Sequence, residues 1–152
     1  MGFNPLVSFV RFVWLIVSRR IRFPRGEVGR VLSLGGKGHF IVFRHAVVRD
    51  GRSIPGRPTA TFIVRFRVAG MSPEANRRFS LLTIPFFAGL PGFCSKRWLI
   101  DVKTGEFAGY YGWRTRADAE RYAASFAVRF MTHRATPGSV SYEIRDNTED
   151  IR

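Results

Sequence analysis

Lys96 and Trp98 stand two residues apart in the run Phe93–Val102, and Tyr111 and Trp113 stand two apart in Phe107–Trp113. A spacing of two puts side chains on one face of a strand. Two such strands joined by the short turn Lys103-Thr104-Gly105 would set an amine, two indoles and a phenol side by side. Tyr122, in a later helical stretch, can join them. This combination suits an apolar small molecule: the rings give contact area, and Lys96 can meet an anionic group. Lys96, Trp98, Tyr111, Trp113 and Tyr122 are therefore the substrate-binding candidates. Each also has a plainer role, Trp98 and Tyr111 as core anchors and Lys96 in a sheet-edge or dimer salt bridge.

Chemistry that begins by ionising such a molecule needs a base, polar groups that hold the anion, and a dry cavity. His133 is the titratable base best placed for the first task, and Asn76 is a polar group for the second. These two are the catalytic candidates, against a helix-dipole role for His133 and a solvated helix position for Asn76. No metal site is expected, because His39, His45 and His133 form no ligand-spaced pair and Cys94 is the single cysteine. His39 and His45, an even number apart, would share a strand face. The cofactor expectation is none, with haem held through one histidine as the alternative. Gly35–Gly38 with Lys37 lacks the rest of a phosphate-binding loop.

The elements that must position these residues follow from periodicity and punctuation. Thr59–Val68 alternates, with Phe62, Val64, Phe66 and Val68 on one face and Thr61, Arg65 and Arg67 on the other. Ser72-Pro73-Glu74 opens a helix through ANRRFSLLTI that Pro85 should kink or end. The hairpin of Phe93–Val102 and Phe107–Trp113 comes next. Thr115–Asp118 then resembles a capping box for a second helix, Ala117 to about His133, with Ala119, Tyr122, Ala123, Phe126 and Phe130 as its apolar stripe. Ser139–Arg145 is a last strand, and the tail from Asp146 should fray. The order β-α-β-β-α-β is ferredoxin-like α+β. One sheet face is left uncovered, which favours a homodimer formed sheet to sheet.

The 152 residues carry 25 Lys+Arg against 11 Asp+Glu, and only three of the basic residues are lysine. Residues 1–58 hold 11 basic and 2 acidic side chains, net +9; residues 59–152 hold 14 and 9, net +5. The N-terminal stretch Phe3–Val17 is strongly apolar and runs into Arg19, Arg20, Arg22 and Arg25. Fifteen helical residues span only about 22 Å, and Arg11 sits mid-helix, so an interfacial helix fits better than a spanning one. Its polar stripe is Asn4, Ser8, Arg11, Ser18 and Arg22. Phe9, Arg11, Trp14, Arg19, Arg20 and Arg22 are the candidates for contact with an anionic membrane surface or a larger protein complex. Two β-rich runs, Val28–Leu34 and Phe40–Val48, should form a hairpin turning at Gly35–Gly38, with further turns at Asp50-Gly51 and Pro55–Pro58. Nucleic acid is set aside as a partner: Arg65-Phe66-Arg67 and Lys96-Arg97-Trp98 mix charge and rings, yet no nucleic-acid-binding motif accompanies them.

Pro91-Gly92-Phe93, Lys96 and Trp98, then Glu106, Gly109, Tyr111, Trp113, Ala119 and Tyr122, resemble the YdhR-like monooxygenase family, within the antibiotic-biosynthesis-monooxygenase-like dimeric α+β barrels. The resemblance covers residues 59–146, and residues 1–58 have no counterpart in the compact family domain. It implies a dimer whose protomers each hold an apolar cavity between sheet and helices, with oxygenase chemistry or haem binding among its relatives. The expected organisation is an apolar, basic N-terminal helix (1–25), a β-rich connection (26–58), a ferredoxin-like domain (59–146) and a polar tail (147–152). The expected function is monooxygenase-like handling of an aromatic or lipid-soluble molecule, in a cytoplasmic protein peripheral to the membrane. The alternative is a non-catalytic accessory subunit docking through its basic N-terminal helix.

Overall fold

The computed structural model describes residues 4–34, 36–49 and 58–147. Phe3, the expected turns at Gly35, Asp50-Gly51 and Pro55–Arg57, and the tail beyond residue 147 lie outside the described residues. In chain order the elements are α1 (Pro5–Val17), β1 (Ile21–Arg22), β2 (Val31–Leu34), β3 (Lys37–Val48), β4 (Ala60–Phe66), α2 (Pro73–Ala88), β5 (Phe93–Asp101), β6 (Phe107–Trp113), α3 (Arg116–Ala123), α4 (Phe126–Arg134) and β7 (Ser141–Asp146).

The strands form one antiparallel sheet in the order β1-β3-β5-β6-β4-β7, with β2 also on β3. Its stretch β5-β6-β4-β7, with α2 after β4 and α3–α4 after β6, is the ferredoxin-like α+β arrangement. The long strand β3 extends it by pairing with β5 from Val47 opposite Ser95 to Phe40 opposite Asp101. The inner face, toward the helices, carries Phe62, Val64, Trp98, Tyr111 and Trp113, packed with Ile84 and Phe87 of α2, Tyr122 of α3 and Leu15 of α1. Neighbouring rings there lie 4.9–5.7 Å apart, many edge to face, contacts worth about 0.5–1.5 kcal/mol each beyond their buried area.

The outer face differs from the sequence expectation. Phe40, Val42, Leu99, Ala108 and Ile63 are buried within a single chain. The β2–β3 hairpin reaches across to them. Leu34 joins their cluster, its carbonyl accepts a hydrogen bond from Arg65, and the Arg65 guanidinium lies 5.2 Å from the Phe40 ring centre. Glu27, from the loop before β2, pairs with Arg97 of β5 at 3.2 Å. The chain thus covers in part the face that was left over for a homodimer, so an uncovered sheet gives no reason for one.

Three further local expectations are corrected. Pro85 does not end α2, which continues to Ala88. The Ser8 hydroxyl of α1 lies 2.9 and 3.0 Å from the carbonyl oxygens of Pro85 and Phe86, and so caps the turn after the proline. The second helix is two helices. Ala124 closes α3, and Ser125 is extended at φ −79°, ψ 165°, restarting the chain as α4 in a new direction. In β3 a bulge between Val42 and Arg44 shifts the alternation. Phe40 and Val42 lie on the outer face, whereas Arg44 opposes Trp98 and His45 opposes Arg97. His39 and His45 therefore do not share a face.

Helix α1 presents its narrow polar stripe to the protein as much as to water. Ser8 and Leu15 are buried, with Phe12 packed beside them. Leu6, Val7, Phe9, Val10, Val13, Trp14, Ile16 and Val17 are exposed, Leu6 by 70% and Val17 by 77%. Among the described residues no helix is long and apolar enough to cross a membrane.

The α1–α2 crossing depends on Gly89, where a Cβ would overlap the Ser8 backbone carbonyl. Gly89→Ala should force the helices apart and lower stability by about 1–3 kcal/mol, the usual cost of overpacking. A shifted denaturant midpoint with an unchanged slope would show it; an unshifted midpoint would mean that the crossing adjusts freely.

Candidate functional site

Helices α2 and α4 meet through side chains, with Phe79 stacked on Phe130 at 6.5 Å and Phe86 against Phe126 at 6.0 Å. Beneath these pairs, above the inner face of the sheet, lies a cavity of about 370 Å³. That size is at the lower end of small-molecule sites. Phe43, Phe66, Phe107, Trp98 and Tyr111 line it from the sheet, Phe87 and Asn76 from α2, and Tyr122, Met131 and Arg134 from the α3–α4 region. Phe86 and Phe130 are partly exposed and mark the side nearest solvent.

Sheet register places the amine. Lys96 lies opposite Ala46 of β3 on one side and Tyr111 of β6 on the other. The small alanine and Gly109, opposite Trp98, leave the lysine stem room to lie in the wall. The Lys96 Nζ is 4.3 Å from the ring centres of Phe87 and Tyr111 and 4.5 Å from that of Trp98. The residue is only 6% exposed. No carboxylate lines the cavity, and no hydrogen bond holds Nζ among the described residues.

Burial pushes the Lys96 amine well below the ordinary lysine range, and the nearby Arg44 charge pushes the same way. Arg44 is itself fixed, donating to Ser80 Oγ at 2.7 Å and to the Arg77 carbonyl at 3.1 Å, with its guanidinium 5.3 Å from the Trp98 ring centre. The aromatic faces would favour a cation, but they replace little of the lost hydration. The site therefore shifts the amine toward its neutral form.

Other polar groups converge here. Tyr111 and Tyr122 share a hydrogen bond, and burial raises both phenols well above their usual range, so both keep their protons. Asn76 is buried in the wall, and its amide has no hydrogen-bond partner among the described residues. The Trp98 indole N–H is also buried without an acceptor. At the far end the Arg134 guanidinium sits 3.5 Å from the Phe79 ring centre. Lys96 and Arg134 make the lining's ionisable groups basic, which favours acidic or carbonyl ligands.

Of the sequence candidates, Lys96, Trp98, Tyr111, Tyr122 and Asn76 come together at the cavity. Trp113 does not: it is fully buried against Phe93 and Tyr122, one register step away. His133 does not either. It is exposed in the last turn of α4 and absent from the lining, because the break at Ser125 turns Phe130, Met131 and Arg134 inward. His39 and His45 also lie outside, so the cavity offers haem no histidine or cysteine ligand. No group of three or more metal-ligating side chains gathers among the described residues. Sequence reasoning missed Arg44 and Phe43, which the bulge in β3 puts next to each other on the inner side. No signal within the strand itself reveals that.

No protein-family model matches the chain, and no curated protein matches it. Solved structures do. The haem-degrading enzyme LmHde of Listeria monocytogenes superimposes with a TM-score of 0.55 at 11% identity, over 89% of this chain and 92% of that one. A monooxygenase-like protein of Listeria innocua gives 0.54 at 11% identity, over 91% and 88%. A ferredoxin-fold protein of Listeria monocytogenes related to antibiotic biosynthesis monooxygenases gives 0.53 at 10%, over 88% and 85%. The fold is the ferredoxin-like α+β fold of these proteins.

An unpaired amine in an apolar wall should cost stability, and Lys96→Met removes it. Burial lowers the folded amine's affinity for a proton below that of the unfolded chain, so between the two titrations the unfolded state binds more protons and folding stability rises with pH, up to the ordinary lysine value near 10.4. Lys96→Met should exceed the parent by about 1–3 kcal/mol at pH 7, the usual cost of an unpaired buried polar group, and the gap should narrow toward pH 10, where only the cost of the unpaired neutral amine is left. Urea titrations at several pH values measure this. A gap independent of pH would mean that Lys96 stays charged when folded.

Proposed function

We propose that this chain is a monooxygenase-like protein of the YdhR-like kind that binds an apolar aromatic molecule bearing one acidic hydroxyl. The observation that carries the reading is the buried Lys96 amine, enclosed by three rings in the wall of an otherwise aromatic cavity, where desolvation shifts it toward its neutral form. A phenol or enol entering uncharged gives its proton to Nζ, and the resulting ammonium stays beside the anion it has made. The Trp98 N–H and the Asn76 amide are donors for the anion oxygen. Lys96 thus takes the base role first assigned to His133. An electron-rich anion can reduce O₂ directly: a methylene or ring C–H carbon becomes carbonyl, one oxygen atom enters the product and the other leaves as water. The protein's share is to take the proton, hold the anion and keep water out. The structurally similar haem-degrading enzyme makes haem a second ligand to try, although the lining supports no histidine-ligated haem.

Oxygen uptake with 1-naphthol and other one-hydroxyl aromatic phenols tests this. Uptake above the protein-free rate is expected, falling by about 10²-fold or more in Lys96→Met, as for a lost general base. Uptake equal to the protein-free rate for every phenol, or unchanged in the variant, would overturn the reading.

A second reading rests on α1. Eight exposed apolar side chains followed by Arg19, Arg20 and Arg22 fit an anionic membrane surface, where the rings and aliphatics enter the interface and the arginines meet headgroups. Pro5 of the same helix lines the cavity, so a bilayer-dissolved molecule would have a short way in. Phe9, Arg11 and Trp14 belong to this surface. Sedimentation with phosphatidylglycerol-containing vesicles should carry the protein down and neutral vesicles should not, with release by salt and by Trp14→Glu with Val17→Glu. Sedimentation with neither kind of vesicle would set the membrane aside and leave a protein complex as the partner of α1.

A further inference from the structure

We propose that Lys96 is also a nucleophile, forming a reversible imine with an apolar aldehyde or ketone held in the cavity. The inference rests on the cavity being a ligand site and adds a substrate class, carbonyl compounds, to the acidic phenols above.

The geometry supports it in four ways. The amine is more than nine-tenths buried, is aimed among three rings at 4.3–4.5 Å, and faces no carboxylate that would hold it charged and occupied. A second cation, Arg44, is fixed on the neighbouring strand by two hydrogen bonds. Desolvation and an adjacent cation are the two ways proteins hold a lysine as a free amine. The space is large enough for a one- or two-ring carbonyl compound, and it is apolar, which favours loss of water from the adduct. Hydrogen-bond donors for the carbonyl oxygen are at hand in the Asn76 amide and the Tyr111 hydroxyl, which burial keeps protonated, and the proton that this oxygen takes up comes from the attacking nitrogen.

The reaction balances without a redox partner. The Nζ lone pair attacks the carbonyl carbon, the C–N bond forms, and the carbonyl oxygen takes up a proton to give a carbinolamine. The hydroxyl then departs with a further proton as water while C=N forms. The oxygen of that water comes from the carbonyl and its two hydrogens replace the two lost from the amine.

The sequence makes the test clean, since Lys37, Lys96 and Lys103 are the only lysines. Full-length protein is incubated at pH 7 with cinnamaldehyde and sodium cyanoborohydride, and the reduced adduct is located by peptide mass mapping. An ordinary lysine is unprotonated in only about one molecule in 10³ at this pH, so Lys96 should label at least about tenfold faster than the exposed Lys103. Allylbenzene, which has no carbonyl, should slow the labelling by competition. In parallel, tryptophan fluorescence follows allylbenzene binding. Adduct at Lys96 with competition supports the imine. Allylbenzene binding without adduct at Lys96, or adduct spread evenly over the lysines, overturns the imine and leaves the cavity reading standing. No binding of either compound overturns both.

Discussion

A lysine amine enclosed by Phe87, Trp98 and Tyr111 has lost most of its water and, among the described residues, gained no acid in return. Three π faces offset part of that loss for the charged form, yet desolvation is the larger effect in a wall without carboxylates. The arrangement persists because the sheet over-determines it. Lys96 is fixed between β3 and β6 by backbone pairing on both sides, and the surrounding ring cluster supplies stability that the amine does not. Such a group is more easily understood as a reagent or a receptor than as a structural element.

The cavity exists for reasons of size and direction. Bulky rings on α2 and α4 meet at their tips, so the helices span the sheet without closing down on it. The break at Ser125 sets the direction of α4 and brings Phe130, Met131 and Arg134 over the opening. On the other side, α1 is locked to the end of α2 where Ser8 meets the carbonyls of Pro85 and Phe86 and Gly89 admits the close crossing. That contact buries Ser8 of the polar stripe together with Leu15 and leaves most of the apolar side chains of α1 facing outward. A contiguous apolar face of this kind is larger than scattered surface side chains would make.

Much of the site was legible in residue spacing. The pairs Lys96/Trp98 and the position of Tyr111 on the returning strand follow from the two-residue period once a hairpin is recognised, and Tyr122 from its place in an apolar helical stripe. Trp113 obeyed the same period and still missed the cavity, because the wall ends one register step earlier. His133 was favoured for its titration range, but a helix break eight residues upstream decided which side of α4 faces inward. The outer sheet face looks unoccupied in the sequence because its cover, the β2–β3 hairpin, comes from residues 1–58, which the spacing of motifs sets apart from the domain although they belong to the same sheet.

The local elements were thus written in the chain: alternation made the strands, Ser72 and Thr115 capped the helices, and a β-α-β-β-α-β order left one sensible fold. These depend on neighbours within a few residues, which sequence displays directly. The protonation state of Lys96, the bulge that brings Arg44 beside Trp98, and the depth of the cavity depend on groups far apart in the chain. Burial, and with it the loss of water that frees the amine, is a property of packing. Only the folded arrangement of β3, β5, β6 and α2 around one side chain decided it.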